Sequence, residues 1–285
     1  MVIILVIDMN KNKQAFHKEI EFHKSAETVP TDSVRLETRS SSLAVRLRGC
    51  FVTDCQLTSP ITHDRIKVLH ADPDQTKPGL NSSHIMMPVG PSSDIGGRHG
   101  FPRWADYHEV SRNESDNGHK QIALQAGRSD MGLGLAKMFE ISDRFIITNT
   151  TAFNSEDESV RTSLGEHLYF NLINEKVDGL MVEGVTLDNL LGEGSTEAIM
   201  RGEPCFWDGF DQEAVIHFPA GYTIRLRAET DVDESVGMLI WHRPGTDSIC
   251  FEPTVGYNPE YDGNSGLEIE AYSMRSLTTA IEVIA

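Results

Sequence analysis

Three short stretches set an ionisable side chain among rigid or aromatic neighbours: HGFPR at residues 99–103, GEHLYFNL at 165–172 and CFEPTVGYNP at 250–259. They carry His99, His167 and Glu252. A fourth, DGFDQEAVI at 208–216, adds the carboxylate of Asp211. An imidazole titrates near neutrality and can hold a proton to donate, whereas an ordinary glutamate is ionised and can accept one. Brought to one substrate, a histidine and a glutamate make a general acid–base pair. Arg98 and Arg103 bracket His99. A guanidinium there can clamp a phosphate, or simply pair with a nearby acid. Taken singly, each group has a bland reading. A lone histidine in a β-rich protein is more often a surface or hydrogen-bonded core residue, and Glu252 can be solvated at a strand end.

The elements that must position these groups have a period of two. In GYTIRLRAETD, Ile224, Leu226 and Ala228 alternate with Arg225 and Arg227, the pattern of a strand with one wet face. SLAVRLRGCFV, DRFIITNTTAF, EAVIHFPA, SVGMLIWH and TTAIEVIA are further β-rich runs, several of them separated by Pro-Gly or Asp-Gly turn signals. GLAKMFEISD fits a helical turn or a strand. Many short strands without βαβ alternation predict an all-β sandwich or barrel with few short helices. Residues 71–98 read as a long loop, and IMMPV in its middle predicts packing against the body. No domain boundary is visible, so residues 1–285 read as one domain, with 1–40 as an N-terminal extension or edge strands.

Composition removes whole function classes. The chain has 25 basic and 43 acidic residues among 285, a net charge of -18, which repels nucleic acid and anionic lipid. A neutral small molecule suits it better. The apolar start MVIILVID is far shorter than the roughly 20 residues of a spanning helix. It has no basic n-region or cleavage site, so a cytoplasmic protein is expected. Cys50, Cys55, Cys205 and Cys250 form no CxxC pair and read as reduced thiols. No His-x-His pair occurs among the eleven histidines, which weighs against a cupin-like metal protein. No metal or other cofactor is expected.

Together the four motifs resemble the aldose 1-epimerases. HGFPR is similar to that family's HGFAR motif, above all in the hexose-6-phosphate branch. GEHLYFNL is similar to its segment with a histidine before a Tyr-Phe pair, CFEP to its Cys-x-Glu-Pro, and DGFDQ to its Gly-Tyr-Asp-His. The order His, His, Asp, Glu also agrees, and the likeness covers roughly residues 40 to 285. The resemblance implies a large antiparallel galactose mutarotase-like supersandwich and an isomerase that interconverts the α and β anomers of a hexose. It implies Glu252 as base at the anomeric hydroxyl, His167 as acid at the ring oxygen, and His99 stabilising charge beside them. Asp211 would bind sugar hydroxyls.

Three departures mark this chain. Gln212 stands where the family has histidine, Pro102 stiffens the HGFAR equivalent, and Glu166 replaces an uncharged residue beside His167. Glu166 either raises the pKa of His167 or, pointing to the opposite face of a strand, meets water. Two alternatives stand beside a free-sugar mutarotase: a hexose-6-phosphate 1-epimerase using Arg98 or Arg103, and a non-catalytic carbohydrate-binding protein. Either would work as a monomer or homodimer.

Overall fold

Strand follows strand because apolar residues recur at alternate positions, each row burying one face. The structure, a computed structural model, describes residues 32–77, 79–90, 98–129, 132–172, 176–257, 259 and 266–285. The MVIILVID run, residues 1–31 of the expected 1–40 extension, and residues 91–97 lie outside these. The chain begins with a four-stranded antiparallel sheet: β1 (Ser33–Glu37), β2 (Ser42–Arg46), β3 (Phe51–Thr58) and β4 (Arg65–Lys67). SLAVRLRGCFV is therefore two strands, not one. Gly49 and Cys50 take φ of 79° and 51° and turn the chain. A β-carbon on Gly49 would stand 2.2 Å from the Phe51 ring, so only glycine fits.

β5 (His84–Met86) follows within the loop-like stretch, and Ile85, Met86, Met87 and Val89 are buried, as IMMPV predicted. A 3₁₀ turn at Phe101–Arg103, with Pro102 in its first turn, leads to a meander: β6 (Tyr107–Glu114), β7 (Lys120–Arg128), β8 (Leu133–Ile141) and β9 (Phe145–Asn154). GLAKMFEISD is thus a strand, not a helix. Next come β10 (Val160–Thr162), β11 (Leu164–Asn171), β12 (Met181–Val182) and β13 (Val185–Thr186). Two short helices follow, α1 (Leu187–Leu191), capped by the Thr186 hydroxyl, and α2 (Ser195–Met200). The chain ends with β14 (Cys205–Trp207), β15 (Glu213–Phe218), β16 (Tyr222–Thr230), β17 (Gly237–His242), β18 (Ser248–Val255), β19 (Leu267–Ile269) and β20 (Met274–Val283).

Two sheets carry the body. One has nine antiparallel strands in the order β13-β12-β15-β16-β20-β9-β8-β7-β6, and the other five in the order β14-β17-β18-β11-β5. Leu135 and Phe139 of the first join Leu168, Phe170, Ile240 and Phe251 of the second in one apolar core. Each such side chain stabilises the fold by about 1.5–3 kcal/mol. The all-β expectation holds: antiparallel sheets dominate and the helices are few and short. Among the described residues no helix is long and apolar enough to cross a membrane. All four cysteines are free thiols.

Candidate active site

The five-stranded sheet presents one face to the core and the other to the site. On β11, Glu166, Leu168 and Phe170 point inward while His167 and Tyr169 point the other way, as strand alternation requires. β5 pairs with β11 so that His84 lies directly opposite His167, and their rings stack at 4.8 Å and 22°. On the other side, β11 pairs with β18 through Gly165–Thr254 and Leu168–Phe251, a register that sets His167 level with Glu252. Pro253 lies between these pairs and has no N–H to give the ladder. β17 adds Trp241 opposite Cys250.

At the centre, His167 Nε2 and Glu252 Oε1 lie 3.1 Å apart, both buried. Nδ1 of His167 has no hydrogen-bond partner. The imidazole is walled in by rings: Tyr169 stacks on it at 4.4 Å and 10°, while His99 and Trp241 meet it edge-on at 5.2 and 5.7 Å. Trp241 donates its Nε1–H to the Gly202 carbonyl at 2.8 Å, which fixes its ring.

His99 reaches this centre from a strained corner. Its φ is 71°, unusual for a residue with a β-carbon, and its Nδ1–H donates to the Val89 carbonyl at 2.7 Å. Its main chain is tied to Met87 and Gly90. Gly100 takes φ of 64°, and a β-carbon there would stand 2.1 Å from the Met87 carbonyl oxygen. His84 is fixed in the same manner, its Nδ1–H donating to the Ser82 carbonyl at 2.8 Å and its Nε2 left without a partner. Backbone carbonyls thus hold the tautomers of both histidines and leave Nε2 as an acceptor.

Burial sets the charges. It lowers His84, His99 and His167 from the ordinary imidazole value, His99 to about 3, and the neighbouring Arg103 lowers all three further. Burial pushes Glu252 the other way, up to about 8, with Arg98 partly opposing it. The thiol of Cys250 and the hydroxyl of Tyr169 are pushed well up by burial. These shifts favour a neutral imidazole cluster and a protonated carboxyl, so the His167–Glu252 pair holds one proton at neutral pH.

Of the residues singled out in the sequence, His99, His167 and Glu252 come together. Arg103 lies half-buried near them, its guanidinium 5.9 Å from the Phe51 ring centroid and its Nε unpartnered. Arg98 is exposed, yet its charge acts on Glu252, His167 and Tyr257. Asp211 is exposed in the connection between β14 and β15, and among the described residues no contact joins it to the cluster. Of the tryptophans, Trp241 borders the site and Trp207 packs in the core against Phe210.

Glu166 requires a correction. It does point away from His167, but it meets no water. It is 3% exposed and pairs inside the sandwich with Lys137 of β8 and the Thr150 hydroxyl. The second sheet covers the face that local alternation alone would leave wet. His84 was not singled out from the sequence. Its one signal is that it opens the apolar run HIMMPV, where a polar residue in a buried strand must have a purpose or a partner.

No family model matches the chain, and no curated protein does. Solved structures match it over nearly its full length. A protein from Synechocystis sp. PCC 6803 is 18% identical with a TM-score of 0.68, the match covering 91% of this chain and 98% of that one. A galactose mutarotase-like protein from Lactobacillus casei ATCC 334 is 17% identical with a TM-score of 0.63, covering 88% and 100%. A galactose mutarotase related enzyme from Lactobacillus acidophilus is 13% identical with a TM-score of 0.62, covering 89% and 98%. Its structural neighbours are galactose mutarotase-like and aldose epimerase proteins, and the chain has the galactose mutarotase-like fold.

Proposed function

We propose that the protein is an aldose 1-epimerase, opening and reclosing the hemiacetal ring of a hexose by general acid–base catalysis. The observation that carries this reading is the buried His167–Glu252 pair, 3.1 Å apart at the centre of an aromatic-walled site. Glu252 takes the proton of the anomeric hydroxyl while His167 gives one to the ring oxygen. The free aldehyde turns about C1–C2, and the same two groups exchange roles as the ring recloses. A protonated Glu252 beside a neutral His167 is the distribution reached after ring opening. It is also the resting distribution, from which transfer along their hydrogen bond gives the carboxylate and imidazolium that begin an opening. His99, neutral and fixed by Val89, offers Nε2 to a sugar hydroxyl beside the reacting oxygens. Asp211 accepts hydrogen bonds from hydroxyls farther along the sugar.

A second reading, a hexose-6-phosphate as substrate, is favoured by one observation. The charges of Arg98 and Arg103 both act on the histidine cluster, one from the exposed side and one from within. Two guanidiniums there can offset the repulsion of the acidic protein for a phosphate.

Saturation-transfer NMR on freshly dissolved sugars, free and 6-phosphorylated, tests both readings. Accelerated anomer exchange that is lost in Glu252→Gln is expected. Equal rates with wild type and Glu252→Gln across the panel would sink the enzyme reading, and sugar binding without exchange would leave a carbohydrate-binding protein.

A further inference from the structure

Cys250 lies two residues before Glu252 on β18, on the same face and fully buried. The acid–base chemistry has no use for its thiol. Yet Sγ of Cys250, a ring nitrogen of His167 and a carboxylate oxygen of Glu252 all lie within 4.8 Å of one another. Sulfur, imidazole nitrogen and carboxylate oxygen form a donor set that suits zinc, and three protein ligands leave the fourth tetrahedral position open. Tetrahedral bonds of zinc to such ligands separate the donor atoms by about 3.3–3.6 Å. The imidazole and carboxylate already stand at 3.1 Å. Bringing in the sulfur from within 4.8 Å asks for a movement of up to about 1.2–1.5 Å, which a cysteine side-chain rotation supplies.

We propose that this face carries a thiophilic divalent-cation site made of Cys250 Sγ, the His167 imidazole and the Glu252 carboxylate, and that a zinc or cadmium ion bound there silences the acid–base pair. Binding exchanges protons for metal. The thiol proton and the proton shared by the pair leave to solvent, a dication enters, and no electron is transferred. A neutral trio becomes a thiolate, a carboxylate and an imidazole around a doubly positive ion, again with no net charge, so the buried site gains none. Hard magnesium, which favours oxygen ligands and keeps its waters, is not held.

The inhibitory consequence rests on the proposed epimerase activity; the metal site itself does not. Cadmium is titrated into the chelator-treated full-length protein while the ultraviolet thiolate-to-cadmium charge-transfer band is read. Anomer exchange is followed in parallel. A Cys205→Ser background removes the partly exposed thiol of β14. The band is expected to saturate at one cadmium per chain and exchange to stop with it, while magnesium has no effect. Cys250→Ser and Cys250→Ala, each checked for an unchanged thermal melt, should abolish the band. They should also raise the half-inhibiting cadmium concentration at least ~10-fold, since the thiolate is the softest of three ligands. No band in the parent, or a band and inhibition that survive both substitutions, would overturn the proposal. A band in a protein that accelerates no sugar would leave the cation site standing and remove the enzyme reading.

Discussion

Residues 166 and 167 are neighbours on β11, and each belongs to a buried pair of opposite chemistry. His167 faces the site and meets Glu252; Glu166 faces the sandwich core and meets Lys137. The inner pair is furnished on all sides. Lys137 Nζ donates to Thr148 at 3.1 Å and Thr150 at 2.8 Å as well as to Glu166, and Thr148 bonds Thr279 at 2.8 Å. The outer pair is left short: Nδ1 of His167 is unpartnered and its nearest neighbours are rings. A pair that ties two sheets together needs every donor answered. A pair that must trade protons with a visitor needs spare valence and a displaced pKa.

Substitutions can break or sharpen this contrast. The largest effect is expected from Glu252→Gln, which should lower kcat by roughly 10²- to 10⁴-fold. Its thermal midpoint should not fall. A stability loss comparable to the activity loss would mean that the outer pair is structural after all.

Next is Lys137→Met, which strands Glu166 without a countercharge and should cost about 3–5 kcal/mol in chemical denaturation. The double variant Lys137→Met with Glu166→Met should recover most of that, because the desolvation of both charges disappears with them. Its kcat should stay within a few-fold of wild type. A single variant that costs nothing would remove the contrast from the other side.

A pH series separates the pairs further. Glu252 is pushed up to about 8 in the folded chain from 4.5, so between those values the native state binds more protons than the unfolded one. Stability carried by this group therefore falls as pH rises from 4.5 to 8 and then levels. Glu252→Gln, which cannot ionise, should gain on wild type across that window in urea midpoints and gain nothing more above it. In the wild type, kcat/KM should fall as pH rises through about 8, because the pair then loses the one proton that ring opening needs. The smallest expected effect belongs to His84→Phe, which keeps the stack on His167 but removes the Nε2 acceptor. A two- to ten-fold drop in kcat/KM, roughly the worth of one hydrogen bond, should appear in anomer-exchange kinetics.

How much of this was legible in LGEHLYFN differs between the two faces. Alternation was enough to put His167 and Tyr169 on one side and Glu166 on the other. It could not say that both sides are covered, because the cover of Glu166 comes from β8, a strand beginning some thirty residues earlier. Lys137 itself offered a signal: it stands in phase with Leu135 and Phe139, so a lysine on an apolar row called for a buried acid. The pairing of His99, His167 and Glu252 was readable only through motif resemblance, since their approach depends on sheet register. His84 joins them through the same register, with no motif to announce it. The sequence sets Arg98 and Arg103 on either side of His99, but only the folded chain separates the exposed one from the half-buried one.

The corner at Gly100 limits how this site can be reshaped. With 2.1 Å between a would-be β-carbon and the Met87 carbonyl, a single added methyl group would spring the turn that carries His99. Such a corner has no graded settings. Neither design nor drift can slide His99 by fractions of an ångström to suit a different ligand. The histidine corner is therefore a fixed datum, while exposed Arg98, whose charge reaches Glu252 and His167 from outside, has the slack that the corner lacks.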